Sequence, residues 1–208
     1  MRLNHRHPPA VITLALLLTG LLAWPAAGFA QGLSPGNVTG QASVLQATLF
    51  GFLLPPTSYI LVQTGTLTGS TDARDASSLT GNIPSILTSE VPSASTIGYP
   101  NQVDSAASLQ NMTLTIAGIT ISADSILAQA SKVSGVAGTG TSSIGNLAIN
   151  GVPIAVTGSP NQTVSILGGR VVINEQTVSS TGAFVVNALH ISVPGVVDAV
   201  VASATAGA

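Results

Sequence analysis

The stretch NLAINGVPIAV, residues 146–156, constrains the fold of this chain more than any other. Two short apolar runs flank Asn150-Gly151. Both turn residues tolerate a positive φ, which a two-residue hairpin turn requires. Pro153 has no N–H to give to a ladder, so its arm belongs at the edge of a sheet. TLTIAGITISA, residues 113–123, has the same shape, with Ala117-Gly118 in the place of Asn150-Gly151. Aligned on the turns, Leu114, Ile116, Ile119 and Ile121 lie over Leu147, Ile149, Val152 and Ile154. Two similar hairpins are expected, one in each of two sheets. A third is expected in SILGGRVVINEQ, turning at Gly168-Gly169.

The rest of the chain follows the same grammar. Short runs of Val, Ile, Leu and Thr are broken by Gly, Asn and Pro, and long helical periodicity is missing. Counting the hairpin arms with SVLQATLFGFLL, SYILVQTGTLTG, AFVVNALHISV and VVDAVVASAT gives about nine or ten strands, a spacing that suits an all-β, antiparallel sandwich or jelly roll. STDARDASSLTGNIPSILTSEVPSAS is the least regular part and reads as a long loop with one helical turn around Asp72 to Ser77. ASKVSGVAGTGTSSIG reads as a glycine and serine loop. Its GVAGTG segment, residues 135–140, lacks the third glycine and the following helix of a phosphate-cradling loop.

Residues 1–30 read as a cleaved secretory signal peptide: Arg2 and Arg6, an apolar run of about fifteen residues from Ala10 to Trp24, then PAAGFA. A spanning helix needs roughly twenty residues, and this run is shorter. The remainder, residues 31–208, suits one β-rich domain with a real core, in which residues 31–58 can be read as a looser N-terminal segment. It contains no cysteine, so neither disulfides nor thiolate zinc contribute.

Charge narrows the function classes. Beyond residue 30 the cations are Arg74, Lys132 and Arg170, against Asp72, Asp75, Glu90, Asp104, Asp124, Glu175 and Asp198, so three minus seven gives about −4. No basic patch can be assembled for a phosphate backbone, which excludes nucleic acid as a partner. Aromatic residues are also scarce there (Phe50, Phe52, Tyr59, Tyr99 and Phe184), too few for the girdles of a transmembrane barrel.

Candidate sites are correspondingly few. His190, the only histidine beyond the leader, lies between Glu175 and Asp198 in sequence. Simple alternation sets Val185, Leu189, Ile191 and Val193 on one face, with Phe184, Val186, Ala188, His190 and Ser192 on the other. The trio invites a catalytic reading, yet no G-x-S-x-G elbow supplies a nucleophile. Asp72 and Asp75 could join a weak calcium site, although Arg74 stands between them. A two-carboxylate glycosidase pair could be drawn from Asp104, Asp124, Glu175 and Asp198, with nothing to select it. Thr64, Thr66 and Thr68 would line one face of a strand. Sequons occur at Asn37, Asn111 and Asn161 and matter only in a eukaryotic secretory pathway.

One resemblance organises the C-terminal half. The NG hairpin, PNQT (160–163), VVINEQ (171–176), VNALHI (186–191) and DAVVASATAG (198–207) resemble the choice-of-anchor P family of bacterial secreted proteins. TGTLTGSTDARDAS and LTIAGITISAD fit its earlier segments. The resemblance implies export and display outside the cell, with no catalytic activity and no cofactor. The chain stops at ATAGA without a sorting motif, so release or non-covalent retention is expected. The motif residues Asn161, Gln162, Asn174, Glu175, Gln176, Asn187, His190 and Asp198 are expected to satisfy backbone groups at turns and strand ends. Two rival functions stay open: a secreted hydrolase or lyase using Glu175, His190 or Asp198, and a carbohydrate- or calcium-dependent adhesin. Partners would be the cell envelope, a polysaccharide or a second copy.

Overall fold

A computed structural model describes residues 38–51 and 55–208. The expected leader and the Asn37 sequon lie outside those residues. The described chain forms fourteen strands: β1 Thr39–Leu49, β2 Thr57–Gln63, β3 Ala73–Ser77, β4 Thr80–Ile83, β5 Leu87–Tyr99, β6 Gln102–Ile116, β7 Ile119–Val133, β8 Thr139–Gly145, β9 Ala148–Ile149, β10 Val152–Pro153, β11 Gln162–Ile166, β12 Gly169–Val178, β13 Phe184–Val193 and β14 Val197–Gly207. They build two antiparallel sheets. One has six strands in the order β11-β12-β13-β14-β1-β2. The other has eight and runs β10-β9-β7-β6-β5-β3, with β4 also on β5 and β8 also on β7. Among the described residues each sheet is open at its ends, which makes this a sandwich of two sheets.

The turn chemistry explains the connections. Asn150 and Gly151 have φ of 50° and 76°, and Ala117 and Gly118 have 53° and 77°, the doubly left-handed pattern of a two-residue hairpin. Pro153 stands on the edge strand of its sheet. The two similar hairpins do not divide between the sheets. Ile121 pairs with Ile149, so they are neighbours in the eight-stranded sheet. Asn150 locks them together, its N–H donating to the Thr120 carbonyl at 2.7 Å and its Oδ1 accepting from the Thr120 N–H at 2.9 Å. Leu147 and Ile149 are buried like their counterparts, whereas Ile154 is only partly buried where Ile121 is buried, and Val152 is 60% exposed on the edge strand. The third hairpin turns one residue early, at Leu167-Gly168, with Ile166 opposite Gly169.

Three segments expected to be irregular are strands. Asp72 to Ser77 is no helical turn, since Ala73–Ser77 pairs with Ser93–Ile97 of β5. TGNI forms β4 against Leu87 to Glu90. Most of the glycine and serine loop is the end of β7 followed by β8. These strands escape detection because Ser, Thr, Gly and Asp occupy the positions where apolar alternation would show. Conversely, the threonines at 64, 66 and 68 lie beyond β2 and form no strand face.

The core lies between the sheets, where β14 and β1 meet β5, β6 and β7. Leu45, Leu109, Leu114, Ile126, Ile173 and Leu189 are each at most 1% exposed. Burying a side chain of this size contributes about 1.5–3 kcal/mol. Ala42, Ala107, Ala128, Ala199 and Ala204 fill much of the rest, so small side chains carry the packing between sheets. Thr39–Leu49, within the segment read as looser, is an inner strand with partners on both sides.

Candidate functional site

The candidate site sits on the outer face of the six-stranded sheet and depends on a fault in its pleat. Val62, Val44, Ala202, Ala188 and Asn174 lie level across β2, β1, β14, β13 and β12. Alternate members of this row, Val62, Ala202 and Asn174, have φ near 50°. Left-handed backbone here costs L-residues energy, and asparagine tolerates it best. At the fault, two successive residues of each inner strand are buried: Val44-Leu45, Val201-Ala202, Ala188-Leu189 and Ile173-Asn174. Alternation therefore flips across the row. Outward-facing side chains on either side of it are three residues apart instead of two.

This flip corrects the simple alternation expected for β13. Val186 and Ala188 are fully buried with Leu189 and Ile191, and Asn187 joins His190 on the outer face. Glu175, opposite Asn187 on β12, receives both of them. Asn187 Nδ2 donates to Glu175 Oε2 at 2.7 Å, and His190 Nδ1 lies 2.9 Å from Oε1. On the other side His190 Nε2 is 3.2 Å from Asp198 Oδ2. Ser203 Oγ donates to Asn187 Oδ1 at 2.7 Å. The result is one chain of contacts, Ser203–Asn187–Glu175–His190–Asp198, spanning β12, β13 and β14.

Electrostatics follow from that geometry. Burial alone would hold the imidazole below its ordinary value of 6.5, but its hydrogen bonds to Glu175 and Asp198, with their charges, outweigh it and raise the pKa. Ionised carboxylates only accept. Both contacts are therefore satisfied together only when both ring nitrogens carry protons. The arrangement fits an imidazolium held between two carboxylates.

The remaining motif residues close a neighbouring edge. Asn161, itself at φ 61°, donates its N–H to the Asn174 carbonyl at 2.9 Å, and its Oδ1 accepts from Gln176 N–H at 2.9 Å. Asn161 thus extends the ladder to β12 by one step just before β11 begins. Gln162 Oε1 accepts from the N–H and hydroxyl of Thr157, and its Nε2 donates to the Ala155 carbonyl. Asn174 Nδ2 donates to the Gly158 carbonyl at 3.0 Å. Gln176 Nε2 reaches Asn174 Oδ1 and the Gly140 carbonyl of β8, tying the two sheets together.

The other candidates are placed apart. Asp72 Oδ2 accepts from the N–H and hydroxyl of Thr68 and from Arg74 Nε, and these bonds lower its pKa from 3.8 to about 2. Asp75 lies on the opposite face of β3 from Arg74, so alternation separates the two aspartates. Asp124 and Asp104 belong to the other sheet, where Asn146 Nδ2 donates to Asp124 at 2.6 Å and Gln102 Nε2 donates to both oxygens of Asp104 at 2.9 Å. Among the described residues, no group of three His, Cys, Asp or Glu could hold a metal ion.

Sequence reasoning missed Ser203, one hydroxyl among many in an alternating strand. It also missed the pleat fault of the eight-stranded sheet, where Val91, Asn111 and Asn146 take φ of 44°, 46° and 52°. A detectable signal was present: Asn111, Asn146 and Asn174 are asparagines at or inside apolar strand runs. No family model, curated protein or solved structure matches the chain.

Proposed function

We propose that this chain is an exported, non-catalytic β-sandwich module of the bacterial envelope or extracellular matrix, in line with its resemblance to the choice-of-anchor P family. One observation carries the non-catalytic part: both ring nitrogens of His190 are taken by carboxylates. A general base needs a free lone pair facing the proton that it removes. The one hydroxyl in this network, on Ser203, donates to Asn187 and not to the imidazole. Nucleophile and base are thus separated by two side chains. The trio instead cross-braces three adjacent strands on their outer face.

The test compares wild type with His190→Gln for turnover of chromogenic esters, glycosides and polyuronates, alongside thermal unfolding. The module reading expects no turnover and a lower melting temperature for the variant. Turnover that disappears in His190→Gln while melting is unchanged would overturn it. Fractionation of the native host checks export, and finding the protein only in the cytoplasm would sink that part.

A further inference from the structure

The outer face of the eight-stranded sheet holds an open trough of about 520 Å³ that the His190 network does not use. Its floor is a set of cross-strand rows. Ile97 of β5 stands opposite Asp104 of β6, which stands opposite Ser131 of β7 and, beyond it, Thr139 of β8. The next row is Ser95, Ala106, Gln129 and Thr141. Along β5 an apolar ledge runs beside these groups. Ile97, 39% exposed, lines the trough, and Tyr99, two residues on and on the same face, is 42% exposed just beyond the lining residues.

From this placement we infer that the trough is a binding site for a neutral polysaccharide chain, which would give the module proposed above its partner. Three features point to that occupant. A sugar ring presents an apolar C–H face and a rim of hydroxyls. The Tyr99 and Ile97 ledge offers a surface for the face, as aromatic and aliphatic side chains do in small-molecule sites. Planar groups suit the rim: the Asp104 carboxylate is held in one orientation by Gln102, which donates to both of its oxygens. The exposed Gln129 amide and the Thr139 and Thr141 hydroxyls add donors and acceptors on the far side. The charge balance then selects among glycans. Among the described residues no arginine or lysine lines the trough and a carboxylate does, which disfavours uronates and sulfated chains. An open trough on a sheet face also lets a long chain pass through, where a closed pocket would admit only a chain end.

Affinity electrophoresis of the purified protein in gels containing dextran, laminarin, xylan or alginate tests this. Wild type is expected to be retarded by at least one of the three neutral polymers and not by alginate. Tyr99→Ala and Gln129→Ala are each expected to weaken that binding about threefold to tenfold, the range expected for one lost contact of this kind. Tyr99→Phe should keep it, and His190→Gln should bind as wild type does. Thermal unfolding of each variant checks that the fold is intact. Absence of retardation by every neutral polymer overturns the site. So does retardation unchanged in both alanine variants, or retardation by alginate as strong as by the neutral polymers. Catalysis is read separately from new reducing ends in the same gels, so failure of the non-catalytic reading is distinguishable from failure of the trough.

Discussion

Asn187 and His190, three residues apart on β13, share a single carboxylate: Glu175 accepts from Asn187 at 2.7 Å and meets the His190 ring at 2.9 Å. In an unbroken pleat residues i and i+3 point to opposite faces. The left-handed residues at Asn174 and Ala202 on the flanking strands bring these two together. A polar network on one face is thus built by a backbone irregularity running through the strands beneath it.

The charge on His190 makes stability depend on pH. Its folded pKa is raised above the ordinary value of 6.5. The added stability is therefore full below that value and is lost as pH rises through the folded pKa. Melting temperature should fall between a pH below 6.5 and mildly alkaline pH, and His190→Gln should flatten that slope. A wild-type slope of the opposite sign would contradict the imidazolium assignment.

Asn187 is almost fully buried and bonds in two directions, to Glu175 and from Ser203. Asn187→Ala strands both partners and should cost about 1–3 kcal/mol. Ser203→Ala removes one end only and should cost less. Chemical denaturation of the single and double variants checks this, and the double variant should lose less than the sum of the singles because the contact is shared.

Ser105 links the sheets through a hydroxyl relay. Its Oγ donates to the Thr205 carbonyl of β14 at 2.7 Å, which uses its only proton, so the 2.7 Å contact with Thr96 has the Thr96 hydroxyl as donor. Thr96 is 0% exposed. Ser105→Ala leaves both partners without this bond and should destabilise by about 1–3 kcal/mol in equilibrium unfolding. An unchanged unfolding midpoint would mean that the relay contributes nothing net.

Gly151 and Gly69 give a matched pair. A Cβ at either meets nothing within 4 Å, but Gly151 has φ +76°. Gly151→Ala should therefore cost about 1 kcal/mol through backbone strain alone, and Gly69→Ala should change stability by less than about 0.5 kcal/mol. Thermal unfolding of the two variants makes the comparison directly.

Much of the fold was legible because turn chemistry is local. Asn150-Gly151, Ala117-Gly118 and Pro153 each carry their own backbone requirement, and all three sit where that requirement predicts. The polar strands β3, β4 and β8 were illegible because their pairing comes from neighbours such as β5 and β7, which local composition does not report. Gly140 illustrates this: it reads as a loop residue, yet it lies in β8, where a Cβ would collide with the Gln129 carbonyl and Val186. At the site, linear order leaves open whether His190 meets Glu175 or Asp198, and the fold brings both carboxylates to it. The position of Asn187 was not legible, since Ala188 and Ala202 give no sign that alternation reverses there.

The first and last strands of the six-stranded sheet lie side by side, with Thr39 opposite Gly207. A load applied between those two points would not shear the ladder, whose bonds would then resist in parallel. It would peel β1 from β14 one pair at a time, starting at Thr39. Mechanically the seam between β1 and β14 is a clasp, which tension applied at Thr39 and Gly207 opens pair by pair.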